Sequence, residues 1–106
     1  MKKEQIENQK RINEKVTSFF EWHNAQQIHP LTSKHLRTCS AIVHDYGTHY
    51  ILVSYSTPVA AIRKDTREGY DFLRLAYGYT ATSAQHIAKF FADYGGGCER
   101  YTWRNV

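Results

Sequence analysis

Between Ser40 and Arg63 the chain carries three short segments, "SAIVHDY", "HYILVSY" and "VAAIR", separated only by "GT" and "STP". All three are rich in β-branched and aromatic residues, which suit a pleated and half-buried surface. Connections this short leave no room for the crossover that parallel neighbours require, so the segments are expected to run antiparallel. Pro58 suits the start of a strand, where the missing amide costs no ladder bond. A fourth segment, "YDFLRLAY", follows the polar turn "KDTREG", in which Gly69 supplies a left-handed position. The tail "CERYTWRN" alternates, with Tyr101 and Trp103 on one side and Arg100, Thr102 and Arg104 on the other, which predicts a last, edge strand.

Two helical patterns flank these strands. From Gln5 to Gln27 there is no Gly or Pro, and Ile12, Val16, Phe19, Phe20 and His23 recur at three- and four-residue steps. That spacing predicts an amphipathic helix, ended by Pro30. Residues 28 to 38 have turn formers and no clear period, so they read as a connection with a short helical turn at Ser33 to Arg37. The second helix lies in "GYTATSAQHIAKFFADYGGG". Thr82 and Gln85 have the spacing of a capping box, which starts the helix near Ser83. Ala84, Ile87, Ala88 and Phe91 form its apolar stripe, widened by Phe90 and Tyr94, and the glycines at 95 to 97 release the chain.

A length of 106 residues with 42% hydrophobic content suits one core, so residues 1 to 106 are taken as a single domain. Its parts are an N-terminal helix over 1–30 and a sheet-plus-helix core over 39–106. The fold class expected is α+β: a mostly antiparallel sheet of about five strands, order α-β-β-β-β-α-β, with both helices on one face. No apolar run reaches bilayer length, and the N-terminus lacks an apolar signal core, so a cytoplasmic location without membrane contact is expected. Cys39 and Cys98 have neither disulfide-framework nor zinc spacing.

Fourteen Lys and Arg against ten Asp and Glu give a formal charge of +4. That sign argues against a nucleic-acid mimic and admits contact with phosphate, although a solvated surface explains the same excess. The start of the second helix, with free first-turn amides, is an anion site only if the self-cap is absent; with no Lys in its loop it reads instead as a lid on the sheet. A two-residue loop at Tyr46 and Gly47 sets Asp45 opposite Thr48 and His44 opposite His49, so two imidazoles share a face. A metal there would need further ligands among His23, His29, His35 and Asp45, and no metal or cofactor is expected. No nucleophile elbow, Cys–His motif, HExxH or paired-acid motif is present. An enzyme would therefore have to assemble around His44, His49 or His86.

The basic residues group loosely, with Arg63, Lys64 and Arg67 about one turn, Arg74 in the next strand, and Arg100, Trp103 and Arg104 in the tail. Arg beside aromatic rings serves base stacking and protein hot spots alike. These seven residues are the candidate binding surface. Phe19, Phe20 and Trp22 would join it as anchors only if the first helix left its own sheet.

Two segments together resemble a small domain of phages and mobile elements of Gram-positive bacteria, which pairs a strand S-Y-x-T-x-V-A with Y-S-x-T-T-S-x-H before a helix. Here the pattern falls on Ser54, Tyr55, Thr57, Val59 and Ala60, then on Tyr79, Thr82 and His86, with Ser83 in place of Thr and Ala84 in place of Ser. The match spans less than half of the chain. It implies a compact sheet-plus-helix domain of phage or mobile-element origin with no established activity to carry over, and small accessory proteins of that origin often act by binding. The expected function is thus a non-catalytic accessory protein that binds and inhibits or modulates a host nucleoprotein or nucleic-acid enzyme, for example a CRISPR effector. The alternatives are direct nucleic-acid binding and a small metal-dependent or acid–base enzyme. Homodimer formation through the last strand is a further expectation.

Overall fold

The computed structural model describes residues 2–36, 40–72, 75 and 81–106, with the side chain of residue 81 left aside. The elements are α1 (Lys3–Ala25), β1 (Thr32–His35), β2 (Ala41–Asp45), β3 (His49–Ser54), β4 (Thr57–Arg63), β5 (Glu68–Asp71), α2 (Ala81–Tyr94) and β6 (Glu99–Thr102). The strands form one sheet in chain order. Every neighbouring pair is antiparallel except β5 and β6, which run parallel because α2 carries the chain back between them. The α+β class with a mostly antiparallel sheet therefore holds, with six strands rather than about five.

The added strand is β1, in a stretch expected to be a connection with a helical turn. Its four residues are all exposed, so no apolar alternation marks it, and the pairing of Ser33 with His44 and Lys34 with Val43 is set by the neighbouring strand. Further along, β5 ends at Asp71, with Phe72 buried beyond it. Most of the rest of "YDFLRLAY" lies outside the described residues, and Leu75 is in a turn.

The two helices lie on opposite faces of the sheet, where one shared face was expected. Successive strand residues point to opposite sides, and the packing follows that alternation. Ile51, Ala61, Tyr70 and Phe72 pack with Val16 of α1. Leu52, Ala60 and Ile62 pack with Ile87 and Phe90 of α2. Both sides of the sheet are thereby apolar along β3 and β4, which explains the near-continuous hydrophobic runs "YILV" and "VAAI". Each fully buried Ile, Leu or Phe here contributes about 1.5–3 kcal/mol relative to exposure.

On α1 the anticipated stripe is the one that packs. Phe19 stacks on Tyr70 with centroids 4.7 Å apart, and Phe20 meets Phe72 at 4.9 Å. The helix thus packs within its own chain, and Phe19 and Phe20 are not free anchors. Its side-chain amides also cover the β6 edge: Asn13 donates to the Arg104 carbonyl at 2.6 Å and accepts from its amide at 2.9 Å. On α2 the buried line is Ser83, His86, Ile87 and Phe90, while Ala88 is exposed. That is a rotation of the expected stripe. The helix starts at Ala81, so Thr82 lies inside it and the cap falls outside the described residues.

Turn chemistry sets the registers. The β2–β3 loop is Gly47 and Thr48, because the Tyr46 amide bonds the His49 carbonyl, and Gly47 takes a φ of 88°. Between β3 and β4 the loop is Tyr55 and Ser56, both left-handed at φ 50° and 68°. In the β4–β5 turn the positive φ of 56° belongs to Arg67, where Gly69 was expected to supply it. Gly69 sits instead within β5, where an added Cβ would lie 2.5 Å from the Phe91 ring.

Candidate ligand cleft

The C-terminal turns of α1 do not close fully onto β3 and β4, and a cleft of about 790 Å³ remains between them. Phe19, Trp22 and Tyr70 supply its aromatic walls, and Tyr46 and Ile28 its outer end. The helical step from Phe19 to Trp22 puts both rings on the side facing the sheet, 5.6 Å apart. Trp22 remains 46% exposed. Its ring is therefore half packed and half available.

The rim is charged in both senses. Arg63 pairs with Asp65 at 2.9 Å, and Lys15 pairs with Glu68. Tyr70 donates from its hydroxyl to Glu68 at 3.1 Å and is pushed above its ordinary value by burial and then by that carboxylate. Lys15 also lies 4.7 Å above the Tyr101 ring. These groups come from α1, β4, β5, β6 and, for Asp65, the β4–β5 turn.

At the floor is His49, 1% exposed. Its Nε2 is 3.2 Å from Nδ1 of His23, in the last turn of α1, and its own Nδ1 is 2.7 Å from the Thr48 hydroxyl. Tyr46 stacks on His49 with centroids 5.0 Å apart and meets His23 edge-on at 5.1 Å. Burial, with His23 and Arg63 adding repulsion, depresses His49 from 6.5 to about 4. Burial lowers His23 as well, with His44 reinforcing it.

The expected facing of His44 and His49 is off by two residues, because the two-residue loop lies one position later than expected. The observed register sets His44 opposite Ile51 and Asp45 opposite Tyr50, and His44 bonds the Ser33 hydroxyl at 2.6 Å instead. A one-residue change in a hairpin loop re-assigns every cross-strand pair. His86 lies on the other side of the sheet, where Ser54 Oγ is 2.9 Å from its Nδ1 and 3.1 Å from Ser83 Oγ. This buried trio joins β3 to α2. The three histidines thus do not converge, and among the described residues no three His, Cys, Asp or Glu side chains form a metal-holding group.

The seven candidate binding residues are spread over the molecule. Arg63 lines the cleft. Lys64 pairs with Asp45 at 2.8 Å and covers Tyr50 on the α2 side. On that same side Arg100 reaches Asp71 at 2.7 Å and lies 4.5 Å above Phe91. Arg67 donates to the Gly96 carbonyl. Trp103 packs against the α1-side core, Arg104 is an exposed residue past β6, and Arg74 is outside the described residues. Sequence reasoning missed the cleft's own lining, Tyr46, Thr48, Asp65, Glu68 and Tyr70. The step from Phe19 through Trp22 to His23 was the signal that could have found its helical wall.

A family model matches residues 1–103, described as a family of unknown function. The chain belongs to the DUF8033 family. No curated protein and no solved structure matches it. The DUF8033 match takes in α1 and all six strands, so both walls of the cleft belong to the family's domain. Among the described residues no helix is long and apolar enough to cross a membrane.

Proposed function

We propose that the protein is a non-catalytic binding protein that engages a protein partner through the aromatic cleft. The observation carrying this reading is Trp22, a half-exposed ring packed beside Phe19 and against His49 and bordered by a rim of both charge signs. Partly exposed aromatics beside Arg, with apolar neighbours that exclude water, are the composition of protein hot spots. The partner class proposed, a host nucleoprotein or nucleic-acid enzyme, is the one that fits the mobile-element origin the sequence resemblance implies.

Direct nucleic-acid binding receives less support. Lys15, Arg63, Lys64 and Arg100 each face a carboxylate of the same chain, so a phosphate would have to compete for them. The test is affinity capture from the native cell, with and without nuclease, using the wild-type chain and Trp22→Ala. A partner retained after nuclease by the wild type and lost by the variant supports the reading. Equal recovery by both chains, or loss of every partner after nuclease, refutes it.

A further inference from the structure

The floor of the cleft is also the place where α1 is fastened to the sheet. His23 stands in the last turn of the helix and His49 opens β3, and their ring nitrogens lie 3.2 Å apart. We infer that the His23–His49 contact is an acid-sensitive latch, closed when the imidazoles are neutral and released by protonation, so that pH sets the opening of the aromatic cleft. The inference deepens the proposed function, because it concerns regulation of the same cleft.

The chemistry follows from proton counting. A neutral pair bonds across the contact when the two tautomers are complementary, so that the N–H of one ring faces the lone pair of the other. A single added proton leaves a donor facing an acceptor, so the bond survives. A second proton places two N–H groups and two positive charges against each other, and the contact fails. Most of the surroundings oppose charge. Trp22 and Phe19 of α1 meet the His49 ring edge-on at 5.4 and 5.5 Å, and Tyr46, just past β2, covers its face. His44 of β2 repels a charge on His23, and Arg63 of β4 and Lys64 in the turn after it repel one on His49. Asp45 alone favours the charged form of His49, and its carboxylate is held by Lys64. Thr48 serves either tautomer of His49 through its hydroxyl.

The direction is fixed by the sign of the shift. His49 is depressed from 6.5 to about 4 when closed, so the closed form is fully favoured above about 6.5 and loses ground as pH falls towards 4. At the lower limit that difference amounts to a change of about 300-fold in the closed-to-open ratio. Opening moves Trp22 away from an imidazole and exposes the faces of Phe19 and Tyr70. Those changes can be read without any partner.

The experiment uses Trp103→Phe, which leaves Trp22 as the single indole, titrated from about pH 7.5 to about pH 4 with anilinonaphthalene sulfonate as the cleft probe. The expected result is a joint change in Trp22 emission and dye fluorescence between the ordinary histidine value and about 4, with far-UV circular dichroism unchanged. His23→Gln should abolish that change, since its amide either donates to or accepts from His49 at any pH. NMR titration of the histidine ring carbons in the wild-type chain gives a second readout that needs no variant, and there His49 should resist protonation well below its ordinary value. A pH-independent Trp22, an unaltered transition in His23→Gln, a transition coincident with loss of the sheet signal, or an ordinary His49 titration would each overturn the latch. Failure of the partner reading would show in capture at neutral pH and leave these results in place.

Discussion

Gly69→Ala should destabilise the fold by forcing α2 off the sheet at one point. The new Cβ would lie 2.5 Å from Cε1 of Phe91 and 3.2 Å from Sγ of Cys98. Ordinary carbon contacts are about 3.5–4.0 Å, so the ring must retreat by about 1 Å. Phe91 is held there between the Arg100 guanidinium, 4.5 Å above it, and the Phe90 ring at 5.4 Å. Its retreat also strains the ion pair of Arg100 with Asp71 across β5 and β6. Overpacking of this kind costs about 1–3 kcal/mol, while replacing a glycine returns about 0.4–1 kcal/mol by restricting the unfolded chain. The net loss expected is about 1–2 kcal/mol, read as a lower urea midpoint at unchanged slope. Phe91→Leu in the same chain removes the clashing ring edge, so the double variant should recover part of the loss, with a coupling of about 0.5–2 kcal/mol. A Gly69→Ala chain as stable as its parent, or two additive losses, would show that the close approach does not position α2.

Three further outcomes test other parts of the structure. Ser54→Ala removes the hydroxyl bonded to His86 Nδ1 in a buried site, and the orphaned imidazole should cost about 1–3 kcal/mol in urea unfolding. Replacing Tyr55 and Ser56, both left-handed, by Asn and Gly should raise the melting temperature, with a gain of about 1 kcal/mol, because those residues favour this loop. The hydrogen bond from Lys64 is the chief cause holding Asp45 below its ordinary value, so the pair's contribution is present above the unfolded carboxylate value and is lost as pH falls through the folded one. Lys64→Met should move the Asp45 titration, followed by NMR, back towards the ordinary range, with a stability change of at most about 1 kcal/mol for so exposed a pair.

Much of the fold is legible in the residues. The runs "AIVH", "HYILV" and "VAAI" require strands, and the amphipathic period around Val16 requires a packed helix. The assignment of the helices to faces was not legible from period alone. Ile51 and Leu52 are both apolar and point opposite ways, so β3 needs a cover on each side. Read as a pair of faces, "ILV" already demanded two layers of helix around one sheet. Strand β1 was hidden for the converse reason: "TSKH" has no buried position, and only its neighbour makes it a strand. The hairpin at Gly47 shows a third limit, since assigning the loop to Tyr46 and Gly47 or to Gly47 and Thr48 is a choice of one residue that decides which side chain meets His49.

The cleft was less visible because its parts come from α1, the β2–β3 loop and the β4–β5 turn, and because charge was read as a surplus rather than as pairs. Arg63 and Asp65 are two residues apart and their bridge could be anticipated, but Lys64 finds Asp45 across the sheet and Arg100 finds Asp71 across a parallel pair. Once those bridges are drawn, the formal excess of +4 no longer marks a phosphate track near the cleft. What distinguishes that surface is a half-exposed indole over the buried His49 and the half-buried His23. Association there should therefore follow apolar burial and the protonation of His23 and His49, with a shallow dependence on salt. A steep linear fall of log affinity with log salt would mean that counterions are being released from phosphates, and would move the binding surface away from Trp22.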